Sequence, residues 1–306
     1  MLASAGAPSL DAEEDVEIAT YLAGEAIVRV RLHGRRDGPL VIAAGGISAD
    51  RHVRAWWGGL AAPGAGLDLN QYCVLGFDFA PLADRRAPIT PHVQAQLLLE
   101  ALDKLGVAQA HGFVGASYGA MVGLALAELA PARVGRLVVI SAAHRPSALA
   151  SGWRGVQRRI VEQALAAGDG AAGLALARQL AMITYRSAEE FETRFDRAIG
   201  DDGRSDLDHY LVARGQAYAN AVAARRWLCL SEAIDRFAVI PEKIAAPTTL
   251  VACPTDQLAP LKDMEEFATR LPRCAALKLL PSLYGHDAFL KETARLEPII
   301  REALDG

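Results

Sequence analysis

Little in this sequence of 306 residues points toward membranes, nucleic acids or an oxidising compartment. It has four cysteines, Cys73, Cys229, Cys253 and Cys274, widely spaced in apolar or strand-like surroundings and without a C-x-x-C pair. Neither a disulfide framework nor a thiolate metal site is indicated, and they read as buried thiols. No Lys/Arg cluster rises above ordinary surface patterning and the net charge is −4, so the basic field that nucleic-acid binding requires is missing. No apolar run reaches the ~18–20 residues of a membrane span. Residues 1–14 lack the basic and apolar stretches of a secretory leader. There is no internal repeat and no low-complexity linker. The expectation is a cytoplasmic protein that handles small molecules, with no nucleic acid and no membrane as partner.

What the chain does have is apolar content, 52% of residues, enough to bury a substantial core. Short β-rich runs recur at 27–32, 40–44, 72–77, 112–115, 137–141, 248–253 and 277–280. Most are continuously apolar, as strands covered on both faces must be. Helical segments at 92–105, 118–129 and 261–270 alternate with them, which predicts an α/β class with a mostly parallel, doubly wound sheet. From about Arg145 to Pro241 the alternation stops, and Ala-, Arg- and Leu-rich helical periodicity takes over. The expected organisation is a loose arm at 1–14, a core at 15–144 and 242–306, and an inserted helical cap at 145–241.

The sharpest local pattern is Gly115-Ala116-Ser117-Tyr118-Gly119, between an apolar strand and a helix. A G-x-S-x-G turn in that context is strained and crowded, so glycines flank the serine, whose oxygen is left exposed at a helix N-terminus. This predicts an α/β-hydrolase fold with Ser117 as nucleophile. A serine is a weak nucleophile near pH 7, so a histidine must take its proton and a carboxylate must hold that histidine. In the order Ser, Asp, His, the candidates are Asp256, just past 248–253, and His286, in Tyr284-Gly285-His286-Asp287. Asp256 also fits a plain turn-forming role. The oxyanion hole calls for two backbone amides, that of Tyr118 and one after an early strand, where Gly45-Gly46-Ile47 nominates Ile47 if the glycine pair is not simply a turn.

Further stretches resemble the homoserine O-acetyltransferase family, which includes homoserine O-succinyltransferases and related serine acyltransferases. They are Trp56-Trp57-Gly58-Gly59-Leu60 with Pro63-Gly64 and Leu67-Asp68, and Gly115 to Met121 with its Gly-x-Ser-x-Gly-x-Met spacing. The cap adds Val156-Gln157-Arg158, Ala175 to Arg178, and Ile183-Thr184-Tyr185-Arg186-Ser187, and Gly285-His286-Asp287-Ala288-Phe289-Leu290 closes the set. The resemblance runs from about Ala26 to the C-terminus. It implies that Arg186 contacts the amino-acid substrate and that Asp287 binds its amine. A zwitterion wants one cation and one carboxylate, so the pair makes chemical sense. Without the resemblance, Arg186 would read as a salt-bridged helix-end arginine and Asp287 as an N-cap.

The resemblance further implies a ping-pong acyl transfer from acyl-CoA, a co-substrate, with no bound cofactor, no metal and a possible homodimer. Where family members carry a Gly-Ser-Thr-Gly loop, this chain has Phe77-Asp78-Phe79-Ala80-Pro81-Leu82. Two rivals remain open at this point, a hydrolase using water as acceptor and a non-enzymatic binding protein of the same fold. Between acetyl and succinyl donors the sequence does not decide. A succinyl carboxylate would need a cation, for which Arg51, Arg54, Arg85 and Arg86 are candidates.

Overall fold

The computed structural model describes residues 13–20, 26–80 and 89–306. Most of the arm expected at 1–14, together with Pro81, Leu82, Arg85 and Arg86, lies outside the described residues. Eight strands form one sheet: β1 (Glu14–Thr20), β2 (Ala26–Gly34), β3 (Leu40–Ala44), β4 (Cys73–Phe77), β5 (Gly112–Ala116), β6 (Leu137–Ile140), β7 (Thr248–Ala252) and β8 (Cys274–Leu279). Their spatial order is β1-β2-β4-β3-β5-β6-β7-β8. β2 is antiparallel to both β1 and β4, and the remaining pairs are parallel. Between the strands run α1 (Val53–Trp57), α2 (Pro91–Lys104), α3 (Tyr118–Leu129), α4 (Ala148–Ala166), α5 (Gly170–Tyr185), α6 (Ala188–Arg194), α7 (Asp206–Ala221), α8 (Ala224–Asp235), α9 (Leu261–Arg270), α10 (Ala288–Lys291) and α11 (Thr293–Asp305).

The continuously apolar runs became the central strands because helices cover both sheet faces: β4, β5, β6 and β7 are buried at every position. One core cluster packs α2 and α3 against one face and a second packs Trp57, Leu296 and Ile300 against the other. Two edges depart from the sequence expectation. β8 starts at Cys274 rather than 277 and is only half-buried, so its residues do not form an apolar run. β1 was not anticipated, and its first residue, Glu14, falls inside the range assigned to the arm. Acids and apolar residues alternate in it, and the acids are held across the ladder by Arg29–Glu17 at 2.6 Å and Arg31–Asp15 at 2.6 Å.

Helices α4 to α8 make up the cap. Serines and an aspartate start several of them, with Ser147, Asp169, Ser187 and Ser205 each accepting a hydrogen bond from a backbone N–H of the first turn. Val161, Leu174, Ala177 and Trp227 form the cap's own buried cluster, and Ile47, from the loop after β3, packs against it.

From β3 the chain moves to β4 on one side and then returns to β5 on the other. The gap between the C-terminal ends of β3 and β5 is therefore a topological switch point, where open α/β sheets leave a crevice. Gly119 closes its base: its N–H donates to Gly45 O at 2.8 Å. A Cβ at Gly119 would stand 2.4 Å from the Ala44 carbonyl oxygen, whereas at Gly46 the nearest atom is 3.8 Å away. Gly119→Ala is expected to destabilise the fold by about 1–3 kcal/mol and Gly46→Ala by far less. Thermal unfolding of the two variants checks this, and equal midpoints would contradict it.

Candidate active site

Ser117 sits between β5 and α3 with φ 52° and ψ −120°, a region a non-glycine residue enters only under constraint. Its N–H donates to Ile140 O at 2.9 Å, extending the sheet ladder one residue past β5. A Cβ at Gly115 would lie 2.6 Å from Ala120 Cα, so the turn closes only with glycine there.

Two loops at the same edge of the sheet bring the partners. His286 Nδ1 lies 2.8 Å from Asp256 Oδ2, and its Nε2 lies 2.8 Å from Ser117 Oγ. An ionised carboxylate only accepts, so Nδ1 carries the proton and donates to Asp256, leaving the Nε2 lone pair to accept from the serine hydroxyl. Asp256 is 4% exposed, and its second oxygen accepts from the N–H groups of Leu258 at 2.8 Å and Ala259 at 3.0 Å. The turn-forming reading and the histidine-holding reading thus describe different oxygens of one carboxylate. Burial alone would push the His286 pKa down, but the charge of Asp256 and its hydrogen bond, with Asp287 adding to them, outweigh it and hold the imidazole above its usual value.

Ser117 and His286 open into a cavity of about 190 Å³ under the cap, lined also by Gly46, Ile47, Asp287 and Phe289. The loop bearing Ile47 is tied to the cap, since Ser48 Oγ donates to Tyr218 Oη at 3.2 Å. Ile47 lies in the loop after β3 and lines the cavity, and Tyr118, next to Ser117, is the first residue of α3. A second strained serine, Ser141 with φ 52° at the end of β6, also lines the cavity, and nothing in its sequence context signalled it. In place of a Gly-rich loop, Phe79 stands edge-on to the Tyr118 ring, centroids 4.8 Å apart, beneath the elbow.

Arg186 stands behind Asp287, at the edge of the site. It is 5% exposed and is not among the residues lining the cavity. Its Nε donates to Asp287 Oδ2 at 3.2 Å and its Nη1 to Glu190 Oε1 at 2.9 Å. These bonds use two of the five N–H donors and place the guanidinium against Asp287, with Nη2 making no hydrogen bond among the described residues. Asp287 does line the cavity, and its side chain caps no helix. Three cations, Arg145, Arg154 and Arg178, do line the cavity, and Arg178 is held over the Tyr185 and Tyr218 rings at 5.2 and 4.6 Å. Among the described residues Arg178 has no carboxylate partner. The pattern Arg178 to Tyr185 held the signal, since two turns of helix place both on one face. Arg51 and Arg54 are elsewhere too, paired with Asp15 and Asp78 and with Glu13. Among the described residues no cluster of His, Cys, Asp and Glu could hold a metal ion, and no helix is long and apolar enough to cross a membrane.

A strained serine, a histidine and a buried aspartate gathered at the C-terminal edge of a mostly parallel sheet define a serine-nucleophile enzyme class, and the chain belongs to the α/β-hydrolase fold family, which matches residues 38–293. Within it the chain belongs to the homoserine O-acyltransferase family. It is 40% identical over 311 residues to a homoserine O-succinyltransferase of Xanthomonas campestris pv. campestris, covering 97% of this chain and 84% of that one. Among solved structures, the homoserine O-acetyltransferase of Bacillus anthracis is similar with a TM-score of 0.84 at 18% identity, covering 96% of this chain and 98% of that one. An esterase crystal structure is as similar, with a TM-score of 0.84 at 17% identity, covering 96% and 99%, so the fold by itself does not separate transfer from hydrolysis.

His286 must be neutral to take the serine proton, so its raised pKa places the acid limb of kcat/KM above pH ~6.5, with activity lost as pH falls through it. In Asp256→Asn the raising charge is gone and burial prevails. The limb is then expected to move to lower pH while the rate drops by about three to four orders of magnitude. A pH–kcat/KM profile of both proteins measures this, and an unmoved limb would contradict it.

Proposed function

We propose that this protein transfers an acyl group from an acyl-CoA to the hydroxyl of L-homoserine, a step of methionine biosynthesis, and that it does so in the cytoplasm. The observation that carries the reading is one cavity holding the Ser117–His286–Asp256 chain together with a cation, Arg178, and a carboxylate, Asp287. Together they match the two charges of an amino acid.

In the first half-reaction Ser117 Oγ attacks the thioester carbonyl as its proton passes to His286 Nε2. The oxyanion rests on the Tyr118 and Ile47 amides. When the C–S bond breaks, the CoA thiolate leaves with the proton from the imidazolium, and the acyl-Ser117 ester remains. Arg178 takes the homoserine carboxylate, and the oxygen of Asp287 not used by Arg186 takes the ammonium. The homoserine hydroxyl then gives its proton to His286 and attacks the ester. As the C–O bond to Ser117 breaks, the serine recovers that proton and O-acylhomoserine departs. Asp256 steadies the imidazolium in both halves.

The second reading, hydrolysis by the same triad, is favoured by the similarity to an esterase, and the acceptor dependence of CoA release separates the two. Release is expected to rise steeply with L-homoserine, and equal rates with and without it would favour hydrolysis. Ser117→Ala should form no acyl-enzyme by intact mass. Arg178→Leu should lower kcat/KM for homoserine by about a hundredfold, roughly 2.7 kcal/mol, with acyl-enzyme formation largely kept. A parallel loss in both half-reactions would overturn the carboxylate-binding role.

A further inference from the structure

The buried charges behind Asp287 do not cancel. Arg186 donates to Asp287 on one side and to Glu190 on the other, and the side chains of Arg186 and Glu190 are only 5% and 6% exposed. Of the three, Asp287 lines the cavity. One guanidinium thus stands between two carboxylates, and the group carries one net negative charge. Arg194 also reaches Glu190 Oε1, at 3.3 Å, but its side chain is 42% exposed and water screens its charge.

The local structure turns Glu190 toward this group. Ser187-Ala188-Glu189-Glu190 opens α6 with the spacing of a capping box, in which the glutamate side chain reaches back to the serine N–H. Ser187 Oγ does accept from Glu190 N–H at 3.1 Å, but Ser187 N–H donates to Leu283 O, on the histidine loop, at 3.1 Å. The Glu190 side chain is thereby released from capping and meets Arg186 instead. It uses one oxygen only: Oε1 accepts from Arg186 Nη1 at 2.9 Å and from Arg194 Nη1, while Oε2 is buried with no hydrogen-bond partner among the described residues. A glutamine could accept both bonds through its amide oxygen, so hydrogen bonding does not account for a carboxylate here. Burying an ion is costly, and what Glu190 adds over its amide is charge.

We propose that Glu190 is a positioning residue for the acceptor, setting through Arg186 the charge with which Asp287 meets the substrate ammonium. This rests on the acyltransferase reading and deepens its acceptor site. An Asp287–Arg186 pair alone is neutral, and its guanidinium repels an ammonium that arrives beside it. With Glu190 on the other side of the guanidinium that repulsion is offset, and Asp287 presents a net negative charge to the cavity. The effect is confined to ligands that carry an ammonium, because the acceptor's carboxylate falls to Arg178 and its hydroxyl to His286.

The test compares Glu190→Gln with the wild-type protein. Ser117 adduct formation from acetyl- or succinyl-CoA without acceptor, followed by intact mass, involves no ammonium and serves as the reference. Relative to it, the KM for L-homoserine should rise about tenfold with kcat largely kept. Two inhibitors give a readout that a merely structural role does not move: L-2-aminobutyrate carries the ammonium and butyrate lacks it. The variant should weaken the first about tenfold more than the second. Arg194→Gln, on the exposed side, removes opposing charge from Glu190 and should act in the other direction, lowering the homoserine KM about twofold. That variant decides the matter should Glu190→Gln fail to fold. Equal weakening of both inhibitors in Glu190→Gln, or a homoserine KM not lowered in Arg194→Gln, would overturn the proposal alone. CoA release indifferent to homoserine in the wild-type protein would overturn the acyltransferase reading and the proposal with it.

Discussion

The backbone of Ser117 is the constraint on which the site depends. Holding a non-glycine residue at φ 52° costs on the order of 1–3 kcal/mol, and the surrounding structure must over-determine it. The ladder bond from Ser117 N–H to Ile140 O ties it to β6, and the Gly119–Gly45 bond ties the start of α3 to the loop after β3. With Oγ aimed out of the sheet, the partners can reach it only from loops at the same edge. The Asp256 and His286 loops, after β7 and β8, satisfy that requirement. One oxygen of Asp256 secures its own turn and the other secures the imidazole, so a single buried carboxylate fixes both the backbone and the base.

The same economy joins cap to core. The Tyr185-Arg186-Ser187 run ends α5 and lies directly on the histidine loop: Ser187 Oγ donates to Leu283 O at 2.7 Å, and Gln257 Nε2 donates to Arg186 O at 3.4 Å. Tyr185 faces the His286 ring at 5.9 Å, and Arg186 holds Asp287. On the far side Trp57 Nε1 donates to Phe289 O at 2.8 Å, joining the early tryptophan pair to the segment after the histidine. These contacts explain why residues far apart in sequence form one pattern of resemblance. They are the seam along which the cap sits over the nucleophile.

Much of this was legible in the sequence where a single physical demand acts on a single segment. Strands buried on both faces must be continuously apolar, and 40–44 and the helix at 118–129 matched residue for residue. The elbow showed itself because its sterics admit glycine at Gly115 and Gly119. Edges were harder to read: β1 is stabilised by arginines on the neighbouring strand, and β8 is half exposed, so neither carries an apolar run. Charged residues were harder still. Arg178 and Arg186 are chemically identical, and the difference between lining the cavity and holding Asp287 arises only when Glu190 and the histidine loop are placed around them. Arg154 likewise reads as an ordinary helix-surface residue until Asp235, eighty-one positions away, is shared with Arg158.

The charges in the cavity bear directly on why transfer can outrun hydrolysis at a site whose chemistry allows both. Water is abundant and needs no binding site, so an acyl-Ser117 ester survives for a dissolved acceptor only if that acceptor is held in place and water is displaced. Effective molarities of well-oriented groups reach about 10⁵–10⁸ M, which is ample to compete with bulk water. Orientation at that level needs at least two fixed points on the acceptor, and Arg178 and Asp287 are two points of opposite sign on different elements, one in the cap and one beside the base. Each is itself constrained, Arg178 between two tyrosine rings and Asp287 by Arg186. In the proposed transfer the cap therefore does more than cover the ester: it carries Arg178, one of the two charges proposed to hold the acceptor's hydroxyl beside Ser117.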